Sequence, residues 1–85
     1  MSQVAVVIGG GQTLGEFLCH GLAAEGYRVA VVDIQSEKAA RVADAINTEF
    51  GEGMAYGFGA DATSEQSVMA LARGVDEIFG RIDLL

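Results

Sequence analysis

The sequence contains no proline and no tryptophan, and Cys19 is the only cysteine among its 85 residues. A single cysteine excludes a disulfide within the chain and a metal site built from several cysteine ligands. The absence of proline is typical of a chain made mostly of regular helices and strands, because proline interrupts both. The length is enough for one small domain, and no low-complexity segment divides it.

Basic residues are also scarce, with five lysines and arginines against twelve acidic residues and a net charge of −7. This charge argues against nucleic acid or an anionic membrane surface as a partner, because both require a basic patch. A phosphate site would therefore have to be local and use backbone donors. No apolar run approaches the ~20 residues of a membrane span, and the first residues do not resemble a signal peptide. We expect a cytoplasmic protein.

Apolar segments of two kinds alternate along the chain. Val4–Ile8, Val29–Val32 and the weaker Met54–Gly59 are typical of strands, and the first two are apolar on both faces, as in a parallel sheet. Ile82–Leu85 has the pattern of a fourth strand that has only begun. The order predicts an α/β fold with a Rossmann-type, doubly wound parallel sheet, of which residues 1–85 form the N-terminal βαβαβαβ portion. We expect this to be the first half of a single longer domain.

Helical spacing of apolar residues lies between the strands. Ser36 and Thr63 are the expected N-caps of the second and third helices, and Gln66 completes a capping box with Thr63. Glycines at 26, 51 and 80 are suited to the helix ends. The three apolar stripes predicted to pack on the sheet are Leu14, Phe17, Leu18 and Leu22; Ala39, Val42, Ala43, Ile46 and Phe50; and Val68, Leu71, Ala72, Val75, Ile78 and Phe79.

A glycine-rich loop connects the first strand to the first helix. Gly9, Gly11 and Gly15 form the pattern G-x-G-x-x-x-G, which is one residue longer than the commonest dinucleotide fingerprint. Such a loop places bare backbone N–H groups and the positive end of the helix dipole beside a bound pyrophosphate. The alternative is a tight turn without a ligand. The loop residues expected to contact a cofactor are Gly9, Gly11, Gln12, Thr13, Leu14 and Gly15.

Two acidic residues follow predicted strands at the edge where ligands bind in open α/β folds. Asp33 ends the second strand, with Ile34 beside it, and its carboxylate is placed to accept hydrogen bonds from the ribose of an adenosine. It would repel a 2′-phosphate, and no lysine or arginine lies in the glycine loop or directly after Asp33, which favours NAD over NADP. Asp61 and Ala62 follow the third strand and form a further candidate contact. The alternatives are a solvated strand-end acid and an ordinary loop carboxylate.

Cys19 and His20 do not form a nucleophile and base, because neighbouring residues of a helix point about 100° apart. We interpret Cys19 as a packing residue and His20 as a solvated one. Tyr27 and Tyr56 lack a lysine at helical spacing, so neither is a good candidate for a catalytic tyrosine. We assign no catalytic residue and no metal ligand. The phenylalanines are expected in the core: Phe17, Phe50, Phe58 and Phe79.

These features together resemble the first half of a short-chain dehydrogenase/reductase cofactor domain over the whole chain. The family pattern is Thr-Gly, three residues, Gly, one residue, Gly. Gly9 and Gly15 match its first and last glycines, whereas Ile8 replaces the threonine and Thr13 replaces the middle glycine. The departure at Thr13 bears on the details of the phosphate contacts. The resemblance implies that the catalytic serine and the Tyr-x-x-x-Lys pair lie beyond Leu85.

The runs 7–15, 19–22, 31–36 and 56–63 are similar in particular to sugar-phosphate dehydrogenases of this family. That similarity implies NAD as cofactor, a small-molecule sugar phosphate as substrate, and a cytoplasmic homotetramer. Two other readings stay open: a non-catalytic dinucleotide-binding or sensing module, and a flavodoxin-like domain without a nucleotide. The latter does not explain why three glycines and Asp33 fall where they do.

Overall fold

The computed structural model describes residues 3–80, in which three parallel strands alternate with three helices. This is the predicted α/β, Rossmann-type arrangement. The fourth strand predicted at residues 82–85 lies outside the described residues. The strands are β1 (Val4–Ile8), β2 (Arg28–Asp33) and β3 (Ala55–Gly59), and the helices are α1 (Thr13–Ala24), α2 (Ser36–Phe50) and α3 (Glu65–Phe79).

The sheet has the order β1-β2-β3, so β2 is paired on both sides. Ile8 is level with Val32 in the first pair, and Asp33 is level with Gly59 in the second. The carboxyl ends of all three strands therefore meet at one edge. The loops that follow the three strands all begin at this edge. The glycine loop after β1 is therefore close to the residues that follow β2 and β3.

Both faces of the sheet are covered, as the unbroken apolar strands predict. On β2, Val29 and Val31 contribute to one core cluster, and Ala30 and Val32 contribute to the other. Helices α1 and α2 pack on the first face, and α3 packs on the second through Val75 and Phe79. The change of face after β3 is the doubly wound feature of the fold.

The packing face of α1 differs from the predicted stripe. Phe17 and Leu18 are 72% and 54% exposed, whereas Cys19 and Ala23 are buried against the sheet. The reason is distance: a Cβ atom placed on Gly10 would lie 3.1 Å from the Cys19 sulfur, so only a small side chain fits at position 19. The prediction that Phe17 belongs to the core is wrong for the described part of the chain, and Phe50 is 37% exposed.

Both predicted N-caps are wrong by one residue. Gln35, not Ser36, precedes α2, because its carbonyl accepts the first-turn N–H groups of Lys38 and Ala39. Ser64, not Thr63, caps α3 and accepts a hydrogen bond from the N–H of Ser67 at 3.3 Å. Thr63 is held elsewhere, by the carboxylate of Asp61.

The helix ends agree with the sequence. Gly26 follows the C-cap of α1 with φ of 97°, and Gly80 caps α3 in the left-handed conformation with φ of 80°. Gly51 caps α2, also with positive φ. These are backbone conformations that side chains with a Cβ atom adopt rarely. None of the helices in residues 3–80 is long and apolar enough to cross a membrane.

Candidate dinucleotide-binding site

The glycine turn is anchored to the neighbouring strand. The N–H groups of Gly9 and Gly10 both donate to the carbonyl oxygen of Val32, at 2.7 Å and 2.9 Å. Gly9 has φ of 82°, which a residue with a side chain adopts only at a cost. The chain therefore reverses directly above the carboxyl end of β2.

Two glycines allow α1 to begin against this turn. A Cβ atom on Gly15 would overlap the carbonyl oxygen of Gly9 and lie 2.9 Å from the Cα of Gly10. A Cβ atom on Gly10 would lie 2.8 Å from a methyl carbon of Val31. The first turn of the helix thus packs on bare backbone, which is the close approach that a dinucleotide fingerprint provides.

The first backbone N–H groups of α1 are available to bind an anion. Gln12 is its N-cap residue, with extended backbone angles, and its side chain makes no capping hydrogen bond. The N–H groups of Thr13, Leu14 and Gly15 follow, at positions that have no acceptor within an α-helix. Because the helix dipole adds a partial positive charge there, the arrangement is suited to a phosphate group.

The carboxylate of Asp33 lies beside the turn. Asp33 is only 3% exposed, so the interpretation as a solvated strand-end acid is wrong within residues 3–80. Its Oδ1 accepts the N–H of Gln35 at 2.9 Å, and its Oδ2 accepts the side-chain amide of Gln12 at 3.3 Å. A Cβ atom on Gly11 would lie 2.8 Å from Oδ2. The structure therefore brings Gly11, Gln12 and Asp33 together.

The loop after β3 lies along the same edge. The N–H of Ala60 donates to the carbonyl oxygen of Asp33 at 3.1 Å, which places Asp61 and Ala62 next in the chain. The hydroxyl and the N–H of Thr63 both donate to Oδ1 of Asp61, and these hydrogen bonds lower the pKa of the Asp61 carboxyl group. Asp61 thus stabilises its own loop. Ile34 is 68% exposed at this edge.

The sequence analysis missed Lys38. A Cβ atom on Gly11 would lie 2.8 Å from the Cβ of Lys38, so this side chain starts beside the glycine turn. Lys38 lies in the first turn of α2, and a helix that follows β2 must begin near the carboxyl edge. The position of Lys38 at the start of the helix after β2 could therefore have predicted its place near the site. A cationic residue therefore does lie close to the site, although none is adjacent to Asp33 in sequence.

The side chains of Cys19 and His20 do not face a common site. Cys19 is buried, and burial, followed by the negative charge of Glu16, raises the pKa of its thiol from 9.0 to about 11. His20 is half-buried rather than fully solvated, and its Nδ1 lies 3.3 Å from a carboxylate oxygen of Glu49 on α2. The packing role predicted for Cys19 is confirmed. The described residues contain no cluster of three potential metal ligands.

The raised pKa of Cys19 predicts a thiol that resists alkylation. At about pH 8 the thiolate fraction in the folded protein should be about 100-fold lower than at a pKa of 9.0. Native stability should fall as the pH rises from 9.0 towards about 11, because the unfolded thiol loses its proton first. Mass spectrometry of the Cys19 peptide after iodoacetamide treatment, with and without denaturant, measures this. Equal labelling rates in both states would contradict it.

An exposed apolar patch borders the glycine turn. It contains the last residue of β1 and the outward side chains of the first turns of α1, each at least half exposed. Its members are Ile8, Leu14, Phe17 and Leu18.

Comparison with known proteins agrees with this geometry. The model of the short chain dehydrogenase family matches residues 3–85. The chain belongs to this family. It is 86% identical over all 85 residues to sorbitol-6-phosphate 2-dehydrogenase of Escherichia coli, of which it covers 33%. The recognised resemblance to short-chain dehydrogenases is confirmed.

Solved structures of the family have the same fold. The crystal structure of sorbitol-6-phosphate 2-dehydrogenase from Erwinia amylovora matches with a TM-score of 0.92 and 66% identity, over 93% of this chain and 31% of that one. An NAD⁺-bound xylitol dehydrogenase matches with a TM-score of 0.86 and 30% identity, over 95% and 30%. Another short-chain oxidoreductase of similar fold is in complex with NADP. The chain spans about a third of the length of these relatives.

Proposed function

We propose that residues 1–85 are the N-terminal, NAD-binding part of an oxidoreductase that interconverts sorbitol 6-phosphate and fructose 6-phosphate. The observation that carries the cofactor part is the carboxylate of Asp33, which is buried beside Gly11 of the glycine turn. The substrate part rests on the similarity to sorbitol-6-phosphate 2-dehydrogenases over the whole chain.

The residues at the carboxyl edge fit NAD by their chemistry. The pyrophosphate is assigned to the N–H groups at the start of α1, which have no side-chain cap. Thr13 adds a hydroxyl where the family pattern has glycine. The ribose hydroxyls of the adenosine are assigned to Asp33, and the adenine to the edge formed by Ile34 and the Asp61–Ala62 loop. The bound nicotinamide would accept or donate the hydride, whereas these residues bind and orient the cofactor.

Selection between NAD and NADP depends on two opposed charges. The carboxylate of Asp33 repels a 2′-phosphate, and the ammonium group of Lys38 would attract one. Asp33 is buried and held on both oxygens, whereas Lys38 has no ion pair within residues 3–80. A buried charge that two hydrogen bonds hold acts more strongly than one at the end of a long side chain without an ion pair. The balance therefore favours NAD.

The apolar patch supports the assignment to one larger domain. The patch of Ile8, Leu14, Phe17 and Leu18 lies at the carboxyl end of β1 and on the first turns of α1, and it is exposed within residues 3–80. A contiguous exposed apolar patch often marks a surface that contacts another protein segment or a ligand. We propose that the rest of the domain, with the catalytic serine, tyrosine and lysine that the family resemblance implies, packs there. The cytoplasmic homotetramer is a further part of the proposal and rests on that resemblance.

An assay of the full-length protein tests this function. We expect NADH to form from NAD and sorbitol 6-phosphate, with little product from sorbitol or from NADP. The unphosphorylated sugar alcohol is the matched control, since it has the same reacting carbon. NAD binding without turnover of any sugar phosphate would contradict the proposal and support a non-catalytic dinucleotide-binding module.

A further inference from the structure

The side chain of Gln12 takes an unusual partner for a residue at the start of a helix. An N-cap side chain commonly accepts a hydrogen bond from the first turn. The Gln12 side chain makes no such bond and instead donates through Nε2 to Oδ2 of Asp33, at 3.3 Å. This contact joins the glycine turn to the end of β2 across 21 positions of the sequence.

We propose that Gln12 is a positioning residue that fixes the carboxylate of Asp33 and thereby sets the preference for NAD over NADP. This inference rests on the proposed cofactor. The N–H of Gln35 holds Oδ1 and the amide of Gln12 holds Oδ2, so the plane of the carboxylate is fixed from both ends. With one donor alone, the carboxylate of Asp33 would be free to rotate about the remaining hydrogen bond.

A neutral donor suits this task. An amide satisfies one oxygen of Asp33 without cancelling the negative charge that rejects a 2′-phosphate, whereas a lysine or arginine at the same place would form an ion pair. Lys38 starts its side chain beside Gly11 and is the cationic residue that faces the same turn from α2. The hydrogen bond from Gln12 competes with a pairing between Asp33 and Lys38, which would weaken both the ribose contact and the rejection.

The first test removes the donor and keeps the length of the side chain. Gln12→Met in the full-length protein should lower the ratio of NADP to NAD dissociation constants about 5- to 10-fold, as expected for the loss of one hydrogen bond to a charged group. Gln66→Met is the matched control, since Gln66 is exposed on α3 and makes no hydrogen bond through its side chain within residues 3–80. Its ratio should stay that of the wild type.

The second test uses pH within a single variant. In Gln12→Glu the introduced carboxyl group can donate to Asp33 only while it is protonated. The negative charge of Asp33 favours the protonated form, so the new carboxyl group keeps its proton to a higher pH than a free glutamic acid does. NAD affinity should therefore be close to that of the wild type at about pH 5 and fall about 10-fold by about pH 8. Wild-type affinity should stay nearly constant. A purely structural role for Gln12 would not produce this profile.

The outcomes separate the inference from the function on which it rests. Wild-type selectivity in Gln12→Met, together with a flat pH profile in Gln12→Glu, overturns the role of Gln12 and leaves NAD binding intact. A wild-type protein that binds neither cofactor overturns the proposed function and this inference with it. Should Gln12→Met fail to fold, the profile of Gln12→Glu decides alone.

Discussion

Asp33→Ala is expected to reduce the affinity of the full-length protein for NAD about 30- to 100-fold and to increase its affinity for NADP. The variant loses charge-assisted hydrogen bonds to the ribose, which contribute about 2–3 kcal/mol. It also removes the carboxylate that repels a 2′-phosphate and leaves Lys38 beside the turn without its opposing charge. Titration calorimetry with both cofactors measures the two changes separately.

A second charge change serves as the control for this prediction. Asp76→Ala also removes one acidic residue, but Asp76 is exposed on α3, on the opposite face of the sheet from α1 and α2. It should leave both affinities unchanged. Asp33→Asn separates the two effects of the carboxylate, because it keeps an acceptor and loses the charge. Unchanged NAD and NADP affinities in Asp33→Ala would refute the role given to this residue.

Gly15→Ala is expected to abolish NAD binding and to lower the free energy of unfolding by about 2–4 kcal/mol. The new methyl group would overlap the carbonyl oxygen of Gly9 and press on Gly10, and backbone cannot move aside as a flexible side chain can. Either α1 or the turn must shift, which displaces the N–H groups assigned to the pyrophosphate. Denaturant unfolding and calorimetry on the same sample measure both effects.

Gly21→Ala is the matched substitution in the same helix. A Cβ atom on Gly21 meets nothing within 4 Å in the described structure. Alanine is the better helix former, so this variant should be as stable as the wild type or more stable by up to about 1 kcal/mol. Wild-type NAD affinity in Gly15→Ala would contradict the close packing described for the turn.

The alternation of elements and the course of the sheet could be predicted from the sequence. Val29–Val32 has no polar residue on either face, which requires cover on both sides, and the structure provides α1 and α2 on one face and α3 on the other. The glycine turn and Asp33 could be predicted because a chemical requirement limits the residue type at each position. Their assignment to a bound cofactor stays a prediction.

Features that depend on competition between neighbours could not be predicted. Phe17 and Leu18 form as regular an apolar stripe as Cys19 and Ala23, and the small space above Gly10 favours the side of α1 that places Cys19 against the sheet. The cap of α3 moved from Thr63 to Ser64 because Thr63 is held by the carboxylate of Asp61. Residue spacing in the sequence does not predict the buried side of α1 or the cap residue of α3.

Lys38 was missed for a similar reason. It comes five positions after Asp33, beyond the residues that directly follow the strand, and the first turn of α2 brings it back to the glycine turn. The hydrogen bond between Gln12 and Asp33 likewise joins residues that only the folded chain brings together. Contacts across the carboxyl edge require the register of the sheet.

Titration of the full-length wild-type protein with NAD and with NADP measures the cofactor preference proposed for this site. The geometry at Gly11, Gln12 and Asp33 predicts saturable NAD binding at one site per chain and NADP binding that is at least about tenfold weaker, a difference of about 1.4 kcal/mol. Equal or tighter binding of NADP would contradict the role of Asp33. Absence of binding by either cofactor would leave the glycine loop as a turn without a ligand and refute the proposed function.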